Sequence, residues 1–397
     1  MTKKTISIFI SILITATVFG QTEKETIRKA NNLIKNKKYE SAFKLLTDFD
    51  PKNTNVEIVL LKEEIALNYY VSSIMHRIFA LKDLENNEDV MDYRGKAGNY
   101  DMQMFEIDKV LDSLIKIYPA NCELYKGLGN FYYEVQMNYD GKWIMSDSTL
   151  FQLIETNNKK AIEGKCADFF TYYILGYTNI AQEKYKEAIP YFLKSIEMNK
   201  EHVNSYYNVA FGYLYSDDLA NALKYAKLSF SLYTDSSYKS DAARMMGQIY
   251  TEMKDEKSAL ANFELANNID PDNYDNIKPL LYLYVKTGDA KTKETTKLFF
   301  ELDPVNPTMD DDLEEIYFDN KKENNLADFY KEELNVFKDN DTITGNLNFY
   351  LGKLYLDSNH KLAKDYFLKS REIFSKLFDK DHPVFQAIEE GIAEAGK

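Results

Sequence analysis

Glycine and proline are scarce in this sequence, with 15 Gly and 8 Pro among 397 residues. Turn-dense all-β sandwiches and barrels need many such residues, so their scarcity leaves helix as the expected secondary structure. Positive charge is also short, because 49 Lys and Arg stand against 63 Asp and Glu and leave a net charge of −14. This balance argues against a protein that binds nucleic acid phosphates or lies on an anionic membrane surface.

Hydrophobic and aromatic residues are abundant. Hydrophobic residues make up 45% of the chain and charged residues 28%, which is enough apolar surface for a folded core. The rings comprise 31 Tyr and 24 Phe but 1 Trp, and packing between helices is one place for so many. The length predicts two or three domains, or one extended array of repeats.

Residues 1–20 have the layout of a secretory signal peptide, in which Lys3 and Lys4 precede an apolar run and Gly20 precedes a polar segment. The apolar run of about 14 residues is short for a bilayer core of about 30 Å. We therefore expect cleavage near Gly20, with a retained anchor as the alternative. After cleavage the protein would be exported, periplasmic or secreted, with no membrane insertion.

The chain has only two cysteines, Cys122 and Cys166. In an exported protein they could form a lasting disulfide, and closing this loop would add about 4 kcal/mol of stability by the chain-entropy estimate. Two buried free thiols explain the sequence equally well. The pairing therefore stays open at this stage.

The sequence repeats itself with a period near 34 residues. The segment beginning at Tyr172 recurs at Tyr206 and then at Ala243, and the third copy closes at Pro271. Small residues recur at the same offsets, which lets two helix backbones approach each other, while aromatics fill the space between them. Each copy is predicted to be a helix–turn–helix that must stack on its neighbours.

These residues resemble the tetratricopeptide repeat, and the copy over 240–271 fits best, with Gly247, Tyr250, Ala259 and Phe263 at the family's positions. The resemblance implies an all-α fold, an α-solenoid superhelix of stacked antiparallel helix pairs. Apolar spacing also predicts helix over 56–118, although that stretch does not fit the repeat. The expected segments are a signal peptide (1–20), N-terminal repeat-like helices (21–120), a core array (121–304) with an insert at 137–149, and degenerate C-terminal repeats (305–397), the last resembling the kinesin light chain type.

The resemblance also implies a concave groove lined by the first helix of each repeat. The partner-binding residues that this register predicts are Lys126, Asn130, Tyr173, Tyr177, Asn204, Tyr207, Asn208, Phe211, Arg244 and Gln248. The alternative is that these rings only pack between neighbouring helices. Trp143, in the insert, is either a cap over the groove or a local packing anchor.

One subset of the family binds peptide carboxylates with a set of five Lys, Asn and Arg side chains. Lys126 and Asn130 match two of those positions, but Ile174, Asn204 and Asn208 occupy the others. The sequence therefore does not predict a carboxylate clamp. An extended or helical segment with apolar anchors instead suits the rings and amide of Tyr173, Tyr177, Tyr207, Asn208 and Phe211.

Motifs for chemistry are missing from the sequence. It has no phosphate-binding glycine loop, its four histidines are scattered, and no nucleophile motif stands out. We therefore expect no catalytic residues, cofactor or metal site.

The function expected from the sequence is that of a noncatalytic scaffold or adaptor of the bacterial cell envelope. It would bind a protein or peptide partner, and no nucleic acid, in the concave groove. A glycan-binding or enzymatic envelope protein that uses the aromatic face is the alternative. Self-association through an incompletely capped end is a third.

Overall fold

The computed structural model describes residues 23–397, so the predicted signal peptide lies outside the described residues. The chain forms two compact units, one ending at Ser216 and the other beginning at Asp217. This division falls inside the segment 121–304, which the sequence analysis treats as one array.

The first unit is built mainly from helices. They are α1 (23–35), α2 (Tyr39–Phe49), α3 (Val56–Tyr69), α4 (Ile107–Ile117), α5 (Cys122–Tyr139), α6 (Asp147–Glu163), α7 (Phe169–Ile180), α8 (Tyr185–Met198) and α9 (Val203–Leu214). Helices α5 and α6 pack as a pair, as do α7 and α8, and α6 also contacts α7.

The second unit continues the same architecture. Its helices are α10 (Leu219–Leu232), α11 (Ser236–Glu252), α12 (Glu256–Ile269), α13 (Tyr274–Thr287), α14 (Thr292–Glu301), α15 (Pro307–Asp319), α16 (Glu323–Val336), α17 (Asp341–Tyr355), α18 (His360–Phe374) and α19 (Pro383–Glu394). Consecutive helices pack in pairs, among them α11 with α12 and α17 with α18. The predicted all-α fold of stacked helix pairs is confirmed in each unit.

A glycine facing a phenylalanine holds the two helices of a repeat close together. A Cβ atom on Gly176 would lie 2.7 Å from the ring of Phe192, and one on Gly247 would lie 2.6 Å from the ring of Phe263. Real Cβ atoms do not approach so closely, and interiors this dense leave no room for an added methyl group. The small residue at this repeat position is therefore a packing requirement.

Turns within the repeats share a backbone conformation. Lys37, Glu183, Lys254 and Lys321 all have positive φ, between 56° and 62°, and each lies two residues before a second helix. Left-handed backbone is unusual for a residue with a side chain, so the tight turn imposes it. The recurrence shows that the repeat unit extends to the turn.

The prediction of helix throughout residues 56–118 is wrong for the middle of that stretch. Strands β1 (Tyr70–Ile74), β2 (Ile78–Leu81) and β3 (Met102–Met104) form an antiparallel sheet in that order, between α3 and α4. Short apolar runs fit a strand as well as a helix, and β-branched and aromatic residues favour the strand. Burial of Val71 and Phe79 then anchors the sheet to the core.

Trp143 is a packing anchor in this structure. Its indole Nε1–H donates to the backbone oxygen of Met75, 2.9 Å away, and its ring lies 6.0 Å from the ring of Phe131. The side chain is buried. Trp143 thus ties the loop after α5 to the turn between β1 and β2.

Cys122 and Cys166, whose pairing the sequence leaves open, form a disulfide with their Cα atoms 5.8 Å apart. The bond joins the first residue of α5 to the segment that leads into α7. It therefore fixes the start of two helices that bear predicted groove residues.

Candidate functional site

A cavity of about 470 Å³ opens in the first unit among α1, α3, α5 and the start of α7. Lys126 and Asn130, two of the predicted groove residues, line it. Most of its ionisable side chains are acidic: Glu57, Glu63, Glu64, Glu123, Glu134 and Asp168. Lys126 supplies the only basic side chain among the residues that line this cavity.

The ammonium group of Lys126 is already paired with two carboxylates. It lies 2.8 Å from Glu123 Oε2 and 3.6 Å from Asp168 Oδ2. Asp168 is itself held in place, since its side chain accepts a hydrogen bond from the backbone N–H of Thr171 and caps the N-terminus of α7. The charge of Lys126 is therefore already neutralised within the protein. A site that binds peptide carboxylates would instead leave this charge available.

Glu63 is the most deeply buried acid of the cavity, with 6% of its surface exposed. Burial raises the pKa of its carboxyl to about 8, and the nearby Glu64 and Glu134 raise it further while Lys126 lowers it. No hydrogen bond or ion pair engages this carboxyl group within residues 23–397. The facing residue is Gly127, where a Cβ atom would lie 3.3 Å from Glu63 Oε2.

Two more polar groups on α5 follow Lys126 along the cavity wall. The Asn130 side-chain oxygen is buried and has no hydrogen-bond partner within the described residues. Glu134 lies one turn further on. Burial raises the pKa of its carboxyl group, and Arg94 lowers it. The cavity thus combines partly desolvated carboxyl groups with an unused amide oxygen.

An aromatic cluster extends from the cavity along α7. Phe170 lines the cavity, packs edge-on to Tyr133 at 5.7 Å and stacks on Tyr173 at 5.8 Å. Tyr133 in turn packs edge-on to Tyr177 at 5.4 Å. The structure therefore brings Tyr173 and Tyr177, both predicted groove residues, into one cluster beside the cavity.

Helix α9 continues this surface. The Asn208 amide donates to the Tyr173 hydroxyl at 3.3 Å, and the ring of His202, just before α9, lies 4.7 Å from that of Tyr173. Asn204 and Tyr207 are half-buried on the same helix. Phe211, further along α9, packs against Tyr215 at 4.5 Å. We define the aromatic lane as Tyr133, Phe170, Tyr173 and Tyr177 on α5 and α7, with Asn208 beside it.

Arg244 and Gln248 belong to the second unit. They line a separate cavity of about 310 Å³ together with Tyr274 and Lys278. Arg244 pairs with Asp241 at 2.6 Å. The remaining predicted groove residues all lie in the first unit.

The sequence reasoning missed the acids that α3 contributes. Helix α3 lies outside the recognised repeats, so the register that predicted groove positions on α5 and α7 did not reach it. A signal was present, because Lys62, Glu63 and Glu64 interrupt the apolar run of α3, and Lys62 and Glu63 are buried. Charged side chains inside an apolar stretch are a reason to look for a site.

Residues 23–397 offer neither a clustered metal site nor a membrane-spanning helix. No group of three or more His, Cys, Asp or Glu side chains there is arranged to hold a metal ion. Among the same residues, no helix has both the length and the apolar character needed to span a membrane.

The sequence profile of the tetratricopeptide repeat matches residues 171–202 and 245–273. These two segments, one in each unit, are similar to the tetratricopeptide repeat. The first matched repeat includes Tyr173 and Tyr177 of the aromatic lane, and the second includes Gln248. No curated protein matches the sequence.

Several solved structures are similar at low identity. A tetratricopeptide repeat protein from Parabacteroides merdae is 16% identical with a TM-score of 0.42, over 69% of this chain and 99% of that one. PilF from Pseudomonas aeruginosa is 14% identical with a TM-score of 0.40, over 64% and 99%. YrrB, described as a repeat protein with an unusual peptide-binding site, is 20% identical with a TM-score of 0.37, over 43% and 82%.

Proposed function

We propose that this protein is a noncatalytic binding scaffold whose first unit holds an extended segment of a partner protein. The observation that carries this proposal is the continuity between the aromatic lane and the polar cavity on α5 and α7. Phe170 belongs to both, so that one ligand can contact both. Apolar rings beside a few polar groups are typical of peptide-binding grooves.

The lane has the properties that such a segment needs. Phe170, Tyr173 and Tyr177 are half-buried, so each leaves part of its surface accessible although the rings pack on one another. Rings already held in place lose little conformational freedom when a ligand binds. The Asn208 amide and the His202 imidazole lie beside the rings and supply polar groups for a peptide backbone.

We further propose that the protein is exported from a bacterial cell and works in the envelope or outside it. The signal-peptide layout of residues 1–20 and the disulfide between Cys122 and Cys166 support this, because disulfides persist in oxidising compartments. Mass spectrometry of the native protein would give its N-terminus. A mature chain beginning near residue 21, with both thiols blocked, is expected, whereas an intact N-terminus with free thiols would overturn export.

Site-specific photocrosslinking in the native cell tests the binding surface. A benzophenone amino acid replaces Tyr177 in one variant and, as the control, replaces Tyr238, an exposed residue on α11 of the second unit. We expect a protein adduct from position 177 that is absent from position 238 and disappears when Phe170→Ala and Tyr173→Ala are added. Equal adducts at both positions would contradict a site in the lane, and adducts with copies of this chain alone would indicate self-association instead.

A further inference from the structure

We propose that the cavity of the first unit binds the cationic side chain of a lysine or arginine in the partner segment, so that the protein selects basic peptides over acidic ones. This inference rests on the proposed function, since it identifies the chemistry of the segment that lies along the aromatic lane. The ligand that we propose is a peptide. A free amine is an outcome of the test.

The carboxyl groups of the cavity outnumber its cations. Two of the six pair with Lys126, and the other four, Glu57, Glu63, Glu64 and Glu134, form no ion pair with it, although Lys126 lowers the pKa of Glu63. Arg94 lowers the pKa of Glu134, but its guanidinium donates to the backbone oxygens of Asn68 and Tyr70. An entering cation would meet these carboxyl groups and lower their pKa values, so that Glu63, whose own pKa is about 8, would ionise beside it.

Buried oxygen atoms without hydrogen-bond partners support the same inference, whatever the number of acids. Glu63 is more than nine-tenths buried, and its carboxyl group has no partner among the described residues. The Asn130 side-chain oxygen on the cavity wall is likewise buried and unpartnered. Native proteins seldom leave buried acceptors unused. A lysine ammonium brings three N–H donors and an arginine guanidinium five. These donors would supply the hydrogen bonds that the oxygens of Glu63 and Asn130 lack.

The surroundings favour a side chain on a peptide over a free amine. Phe170 lines the cavity and stacks on Tyr173, so residues that flank the cation would lie against the lane. The volume of about 470 Å³ accommodates the long stem of lysine or arginine together with water. Gly127 keeps the approach to Glu63 open, because any side chain there would meet the Glu63 carboxyl group.

The arrangement also explains why Lys126 and Asn130 do not work as a carboxylate clamp. A peptide carboxylate entering here would have to displace Glu123 and Asp168 from Lys126 and would lie near Glu63. Repulsion of this kind excludes acidic partners while attraction selects basic ones. Lys126 and Asn130 thus belong to a site that prefers cations to carboxylates.

The test is selection from a random heptapeptide display library with the mature full-length protein. We expect aromatic residues to be enriched together with a Lys or Arg at least threefold above the starting library. A synthetic enriched peptide should lose at least tenfold in affinity when norleucine replaces that cation. Glu63→Gln should abolish most of this discrimination, because the affinity of the cationic peptide falls towards that of the norleucine peptide. Glu187→Gln, at an exposed position on α8, is the matched control and should keep the discrimination of the wild type. The fluorescence of the single tryptophan verifies that both variants fold.

Each other outcome counts against the inference in a distinct way. Enriched peptides that carry aromatic residues but no basic residue would overturn it and leave the binding scaffold standing. Absence of any enriched peptide would remove both. Spermidine that binds the wild type and not Glu63→Gln, with no peptide enriched, would show that the cavity takes a free amine. Equal discrimination by Glu63→Gln and wild type would place the cation elsewhere.

Discussion

Asp310 on α15 gives the second unit a pH dependence that a single substitution should remove. Its side chain is completely buried, and neither carboxyl oxygen has a hydrogen-bond partner within the described residues. The Tyr330 hydroxyl donates to the backbone oxygen of Asp310 instead. Burial raises the pKa of this carboxyl to about 7; the Tyr330 hydroxyl close by and Lys353 lower it, and Asp311 and Glu314 raise it further.

The sign follows from the difference between the folded and unfolded states. The unfolded pKa is near 3.8 and the folded one near 7, so the folded state holds the proton more tightly. This favours folding below pH ~3.8, and the contribution is lost as the pH rises through about 7. Between pH ~5 and pH ~8 the loss amounts to about 3 kcal/mol, at about 1.4 kcal/mol for each pH unit over which only the unfolded state is ionised.

Asp310→Asn replaces the ionisable group with one of the same shape. We expect the free energy of unfolding of the second unit to lose this ~3 kcal/mol decrease between pH ~5 and pH ~8. Urea unfolding followed by far-ultraviolet circular dichroism measures it at several pH values. The matched control is Asp319→Asn, which removes an exposed carboxylate from the same helix and should keep the pH dependence of the wild type. If Asp310→Asn and wild type show the same pH dependence, Asp310 is not protonated in the folded state and the reasoning fails.

Three further predictions concern the first unit. Burial lowers the pKa of His76 to about 4, so its protonation between pH ~6.5 and pH ~4 should contribute a destabilisation of up to about 3 kcal/mol to this unit. Tryptophan fluorescence during urea unfolding measures it as the difference in pH dependence between wild type and His76→Gln, because the other groups of the unit titrate in both. Cys122→Ser with Cys166→Ser should lower the free energy of unfolding by about 4 kcal/mol, because the bond closes a sequence separation of 44. Reductant should destabilise the wild type similarly and leave the double variant unchanged. Gly176→Ala should destabilise by about 1–3 kcal/mol, since its Cβ atom would meet the ring of Phe192. The same change at an open helical site stabilises by about 1 kcal/mol, so a gain on thermal denaturation would refute the close contact.

The repeats could be predicted from the sequence because their determinants are local and recur. Gly176 with Phe192 and Gly247 with Phe263 each lie within a single helix pair, and the same spacing appears twice. Periodic signals of this kind accumulate over copies. The sheet over β1, β2 and β3 occurs once and depends on pairing between distant segments, so no periodicity distinguished it from helix.

The candidate site could be predicted only on the side that the repeats supply. The register placed Lys126 and Asn130 on the cavity wall, because both lie on the first helix of a recognisable repeat. Glu63 comes from α3, which packs against α5 across a long separation in sequence. The i, i+3 spacing of Glu123 and Lys126 indicates one ion pair, but nothing local to Lys126 indicates that Asp168 adds a second or that an unpartnered acid lies close by. The repeat pattern therefore could not predict that the site is acidic.

Buried ionisable groups couple the folding of both units to pH, and their contributions have opposite signs. His76 must be neutral in the folded first unit, so acid opposes its folding, whereas Asp310 must be protonated in the folded second unit, so base opposes that one. Between pH ~4 and pH ~6.5, each step towards acid weakens the contribution of His76 and strengthens that of Asp310. Glu63 in the first unit, whose pKa burial raises to about 8, is also protonated in the folded state below that pH and gains stability towards acid as Asp310 does. The contributions of His76 and Glu63 therefore oppose each other in the first unit, and His76→Gln should leave the stabilisation by acid that Glu63 supplies.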